Sequence, residues 1–165
     1  MIELANLAEN VTISNNVLRR SGGAGQCIRS QPHSGIGANG LSIRGNTCIN
    51  NTDGAAIMVG GGKDVSVTGN RILASGGPAS MGTYLFPIGG HFDGVLVEGN
   101  LYRGTAHSSV RMGATGGFGF TGALIMGNVS RESGPMRCEN PLLNPVGGIV
   151  VGTNNWAVPS ACVVP

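Results

Sequence analysis

The chain has 165 residues, of which 30 are glycine, where an average protein of that length would carry roughly 7%. Only 11% of residues are charged, 4% are aromatic and the formal net charge is +2. The glycine has no triplet period, which excludes collagen; an apolar content of 41% is too high for a disordered linker; and no stretch approaches the ~20 consecutive apolar residues of a membrane span.

Residues 1–10 carry Glu3 and Glu9 without an apolar h-region, so no signal peptide is expected, and they read as an N-terminal cap or strand. A repeat then runs over 11–154. Its copies are Val11-Thr12-Ile13-Ser14-Asn15-Asn16, Leu41-Ser42-Ile43-Arg44-Gly45-Asn46, Val65-Ser66-Val67-Thr68-Gly69-Asn70, Val95-Leu96-Val97-Glu98-Gly99-Asn100 and Ala123-Leu124-Ile125-Met126-Gly127-Asn128. A sixth, Ile149-Val150-Val151-Gly152-Thr153-Asn154, keeps the asparagine and moves the glycine. Alternation with period two is a strand signal, with the first and third positions facing a core. The glycine supplies a bend, and the asparagine suits a turn. Stacked copies would let Asn16, Asn46, Asn70, Asn100, Asn128 and Asn154 hydrogen-bond as a ladder.

A second segment follows each asparagine, with Leu18, Cys48, Ile72, Tyr102 and Ser130 at its inward position. A third contains Cys27-Ile28-Arg29, Ala56-Ile57-Met58-Val59, Thr83-Tyr84-Leu85-Phe86, Val110-Arg111-Met112 and Met136-Arg137-Cys138. Three strands and three corners per repeat predict an all-β, three-walled parallel β-solenoid of five to six coils, forming a single domain. Gly76–Met81 and Gly113–Phe120 read as glycine-rich loops. Residues 155–165 form an apolar tail that holds Trp156, placed to cover the last coil or meet a partner.

The V-x-I-x-G-N motif and the coil length, from Glu9 to Asn154, resemble the right-handed parallel β-helix (pectate-lyase-like) superfamily. The resemblance implies a right-handed, single-stranded parallel β-helix. The superfamily holds pectin lyases, polygalacturonases, mannuronan epimerases and bacteriophage tailspikes, so fold alone selects no activity.

A carbohydrate-active enzyme needs converging carboxylates or a calcium cluster with a base. Asn51-Thr52-Asp53-Gly54 resembles the N-T-D motif of polygalacturonases, but the region expected to hold the paired acids reads Ser75-Gly76-Gly77-Pro78-Ala79-Ser80. Asp64 and Asp93 precede strand motifs and are expected on one corner in adjacent coils. His91 and Asp93 flank Phe92 in an expected loop. These four, Asp53, Asp64, His91 and Asp93, are the weak catalytic candidates. Arg103 and Arg131 fall at equivalent positions in adjacent coils, with Arg19 as the first-coil match; with Trp156 they are the candidate glycan or partner contacts. The scattered cations form no basic run, so no nucleic-acid partner is expected. Cys27, Cys48, Cys138 and Cys162 have no CxxC spacing and no ligand-spaced histidines, so no metal or cofactor is expected. Free buried thiols are the expectation for them, with a Cys138–Cys162 disulfide as the alternative.

The resulting expectation is a non-enzymatic structural β-helix of a virion, assembled in the host cytoplasm, or of an extracellular surface. Its module type would be a bacteriophage tailspike, fibre or capsid-decoration protein, giving rigid display, stabilisation or glycan contact. The expected partners are further copies in a homotrimer, other virion or surface proteins, and a glycan. The alternative is a polysaccharide lyase or glycoside hydrolase, or a fragment of one.

Overall fold

Alternating aliphatic residues can bury one side of each strand only if neighbouring copies stack, because one coil alone encloses no core. A computed structural model of the chain shows this stacking. It describes residues 1–5, 8–19, 26–31, 37–51, 53–88, 90–113, 118–138 and 147–156. The tail beyond Trp156, Cys162 and the middle of the Gly113–Phe120 loop lie outside them.

Three parallel sheets form the walls. The first is ordered β1 (Ile2–Ala5), β4 (Ile28–Gln31), β7 (Gly54–Val59), β10 (Ser80–Leu85), β13 (Ser108–Met112), β16 (Arg137–Cys138). The second runs β2 (Thr12–Ser14), β5 (Ser42–Arg44), β8 (Gly62–Thr68), β11 (Phe92–Glu98), β14 (Phe120–Met126), β17 (Gly147–Val151). The third runs β3 (Val17–Arg19), β6 (Thr47–Asn51), β9 (Arg71–Ala74), β12 (Leu101–Arg103), β15 (Val129–Arg131). Every strand therefore pairs with the strand three places away in sequence, which makes the fold a β-solenoid with three strands per turn. No helix is present among the described residues.

The register lines up like with like. Ile13, Ile43, Val67, Val97, Ile125 and Val151 form one inward row of the second sheet. Leu18, Cys48, Ile72, Tyr102 and Ser130 form the inward row of the third, as the alternation predicts. Fully burying each aliphatic side chain contributes about 1.5–3 kcal/mol. Three aromatics join this aliphatic interior. Phe92 and Phe120 stack with ring centroids 4.9 Å apart. Tyr102 is fully buried with its hydroxyl 2.9 Å from Thr83 Oγ1, and burial pushes its phenol well above the usual range.

The corner after the second-sheet strands is built from a left-handed residue and an asparagine. Asn15, Gly45, Gly69, Gly99 and Gly127 occupy φ from 58° to 65°. The next residue is the ladder asparagine. In each of Asn16, Asn46, Asn70, Asn100 and Asn128, Nδ2 donates to Oδ1 of the following asparagine at 2.9–3.1 Å. The backbone N–H of each donates to that same oxygen. From Asn46 onward, Nδ2 also reaches a carbonyl of the preceding coil: Ile13, Ile43, Val67, Val97 and Ile125 in turn. One side chain thus satisfies backbone groups of two coils at a turn where the strand ladder is broken.

The cysteines correct the expectation of free thiols. Cys27, just before β4, and Cys48, in β6, form a buried disulfide with Cα atoms 6.1 Å apart. It ties the first and third walls across the interior. Cys138 is also disulfide-bonded.

Candidate functional site

Outward positions of the first sheet form a row along the rod: Glu3, Arg29, Met58, Tyr84, Arg111 and Arg137. Strand alternation turns these side chains out because Ile28, Ile57, Thr83 and Val110 beside them point in. The Arg111 guanidinium lies over the Tyr84 ring, 4.6 Å from its centroid. Phe86, two residues on, packs at 5.1 Å from the same ring. Arg111 Nη1 also reaches Met81 Sδ at 3.3 Å. At one end Arg29 faces Glu3 at 3.7 Å, and at the other Arg137 Nε donates to the His107 carbonyl. The face combines a half-buried aromatic pair, two methionines and three guanidinium groups. Tyr, Met and Arg are the residue types enriched in recognition surfaces.

The third sheet carries the arginines singled out in the sequence. Arg19, Ile49, Leu73, Arg103 and Arg131 form one row, so Arg19 is the register equivalent of the other two but stands apart from them. Arg71, Leu73, Leu101, Arg103, Val129 and Arg131 line an open groove of about 500 Å³. Glu132 occupies this surface: its carboxylate meets Arg103 at 3.0 and 3.4 Å, which holds the Glu132 carboxyl below its ordinary range.

The acidic candidates separate. Asp53 lies immediately before β7 on the first sheet, while Asp64 lies in β8 and Asp93 in β11 on the second. Asp64 and Asp93 are also out of step by one residue. Asp93 pairs in register with Lys63, 3.9 Å away as an ion pair. Asp64 takes a left-handed turn at φ 51°, like Gly94 at 72°. His91 and Asp93 flank a strand residue rather than a loop, because the stacked ring of Phe92 anchors the start of β11 in the core. His91, Asp93, Lys63, Asn39 and Thr121 line a hollow of about 490 Å³. There His91 Nδ1 accepts the Gly119 N–H at 3.2 Å and its ring meets Phe118 edge-on.

The outer face of the second sheet changes character along the rod. Thr12, Ser42 and Ser66 are followed in register by Leu96, Leu124 and Val150. Val150 is 56% exposed, so this end offers an apolar wall. Trp156 is half-buried against the core. No family model matches this chain, and neither a curated protein nor a solved structure matches it.

The first-sheet face lies outside the sites expected from the sequence. Its signal was present in the third strand of each repeat, where Arg29, Met58, Tyr84 and Arg111 all sit at the outward phase.

Proposed function

We propose that this chain is a non-enzymatic structural β-solenoid of an extracellular or virion assembly, of the kind found in pectate-lyase-like β-helices and phage tailspikes, and that it displays a recognition face for a carboxylated glycan. The observation that carries this reading is the Tyr84–Arg111 stack with Phe86 beside it on the first sheet. An aromatic platform packs against a pyranose ring, and guanidinium forks meet carboxylates in a bidentate fashion. The rigid interior beneath keeps these groups preorganised, which lowers the ordering cost of binding. The buried Cys27–Cys48 disulfide favours an oxidising setting over the cytoplasm. The apolar end of the second sheet, at Leu124 and Val150, supports a lateral neighbour in the assembly.

A titration of the purified chain against soluble carboxylated polysaccharides, polygalacturonate among them, tests the reading. Binding is expected to weaken at least about tenfold in both Tyr84→Ala and Arg111→Ala, with unchanged melting temperatures. No binding to any member of the panel, or binding by both variants as tight as that of the parent chain, contradicts it.

A second reading rests on the hollow holding His91 and Asp93. It makes the chain a carbohydrate-active enzyme with those two side chains as acid and base. Cleavage of the same polysaccharides by the parent chain, abolished in Asp93→Asn, would favour it.

A further inference from the structure

The chain turns from the first sheet into the second at the corner where β8, β11 and β14 begin. Phe92 and Phe120 pair in register there, so His91 and Gly119, the residues before them, stand at the same step of adjacent coils. Gly119 is held on both sides. Its carbonyl accepts the Phe92 N–H at 2.9 Å, and its own N–H donates to His91 Nδ1 at 3.2 Å. The Phe118 ring, 5.3 Å away and nearly perpendicular, packs against the same imidazole. One of the bonds that join these two coils is therefore made by a side chain that titrates.

A backbone N–H can only donate, so Nδ1 carries no proton in this bond and the ring is neutral, with its proton on Nε2. An imidazolium has a proton on both nitrogens and accepts nothing. Histidine is the side chain that makes this change between about pH 5 and 8. His91 is exposed, so protons reach it, whereas Gly119 is buried. A buried donor stripped of its partner bears the full desolvation penalty of the group. A charged His91 ring and a buried Gly119 N–H therefore oppose one another.

The charges nearby leave this opposition in control. Lys63 of β8 and Asp93 of β11 line the same hollow as His91. One disfavours a positive ring and the other favours it, and they pair with each other at 3.9 Å. Asp64, next to Lys63, lies beside Gly94. Among the described residues, β14 and the corner at 37–39 bring no titratable side chain. Thr121, two residues beyond Gly119, lines the hollow as well, so a movement of Gly119 reaches its wall.

We propose that His91 is a pH-sensitive latch: the neutral ring pins the start of β14 to the coil of β11, and protonation of the ring releases Gly119 and loosens the wall of the hollow. This goes beyond the recognition reading and does not depend on it, because the Tyr84–Arg111 stack lies on another sheet.

Amide hydrogen exchange of the full chain, followed by NMR at about pH 8 and about pH 5 and expressed relative to the intrinsic rate at each pH, tests this across the histidine range. Protection of the Gly119 amide is expected to fall about tenfold or more at the lower pH, as one hydrogen bond is lost. The Ser66 amide, bonded to the Leu41 carbonyl at 2.8 Å, should keep its protection. His91→Asn offers a carboxamide oxygen near the place of Nδ1, which accepts without titrating, so the fall at Gly119 should vanish. His91→Phe has no acceptor and should leave Gly119 poorly protected at both pH values. Equal protection of Gly119 at the two pH values in the parent chain overturns the proposal. So does a fall that persists in His91→Asn, which would place the titrating group elsewhere, and so does an equal fall at Ser66, which would mark general loosening in acid.

Discussion

Replacing Asn100 with alanine is expected to lower the unfolding free energy by about 3–5 kcal/mol. Asn100 is 1% exposed and makes four side-chain hydrogen bonds. Its Nδ2 donates to the Val67 carbonyl at 2.8 Å and to Asn128 Oδ1 at 3.0 Å. Its Oδ1 accepts from the backbone N–H of Asn70 at 2.9 Å and from Asn70 Nδ2 at 3.0 Å. Truncation leaves the Asn70 N–H and the Val67 carbonyl buried without these partners, at about 1–3 kcal/mol each. Asn16→Ala is the internal control. Asn16 is half-exposed at the end of the ladder, its Oδ1 accepts no bond among the described residues, and its backbone N–H still donates to Asn46 Oδ1 after truncation, so a loss of about 1 kcal/mol or less is expected. Urea unfolding of both variants with equal slopes checks the difference. Equal losses at the two positions would mean that the ladder contributes no more inside than at its end.

The second large effect is steric. Gly62→Ala is expected to abolish the folded state, or to cost at least about 4 kcal/mol if some survives. Gly62 opens β8 at φ +144°, a conformation that L side chains rarely adopt. A Cβ there would overlap the backbone carbonyl oxygen of Ala38 in the adjacent coil. Backbone is fixed by the ladders on both sides, so neither atom can yield. Gly69→Ala separates strain from overlap. Gly69 sits at φ +60° with nothing within 4 Å of the added carbon, so only the left-handed penalty of about 1–2 kcal/mol applies. Soluble yield and thermal melting of the two variants should differ sharply; a Gly62→Ala protein as stable as Gly69→Ala would refute the close approach of coils at this corner.

Much of the architecture can be read directly from the chain because each coil repeats its constraints. Asparagine at 16, 46, 70, 100, 128 and 154 is a side-chain requirement at one corner, and the inward rows of Leu18, Cys48, Ile72, Tyr102 and Ser130 follow from period two. What was not legible is how the coils register away from that corner. Repeats of 24 to 30 residues place their extra length in loops, so the row from Arg29 to Arg137 emerges only when the third strands are aligned in space. The same holds for Asp64 and Asp93. Both stand just before a valine, aspartate directly in one case and with Gly94 between in the other. A left-handed residue at the same step of each coil, Asp64 or Gly94, puts Asp93 opposite Lys63 instead. The Cys27–Cys48 pairing had an inward phase at Cys48 but joins different walls of successive coils, a relation invisible to spacing rules.

One spine holds the coils together: buried, mutually bonded asparagine amides, with the recognition face carried on the outer walls. Hydrogen exchange of the asparagine side-chain amides, followed by NMR, tests it most directly. The Nδ2 protons of Asn70 and Asn100 should exchange as slowly as the backbone amides of β8 and β11, while those of Asn16 exchange orders of magnitude faster. Side-chain amides of Asn70 and Asn100 that exchange at the rate of exposed asparagine would contradict the ladder and the rigidity inferred from it.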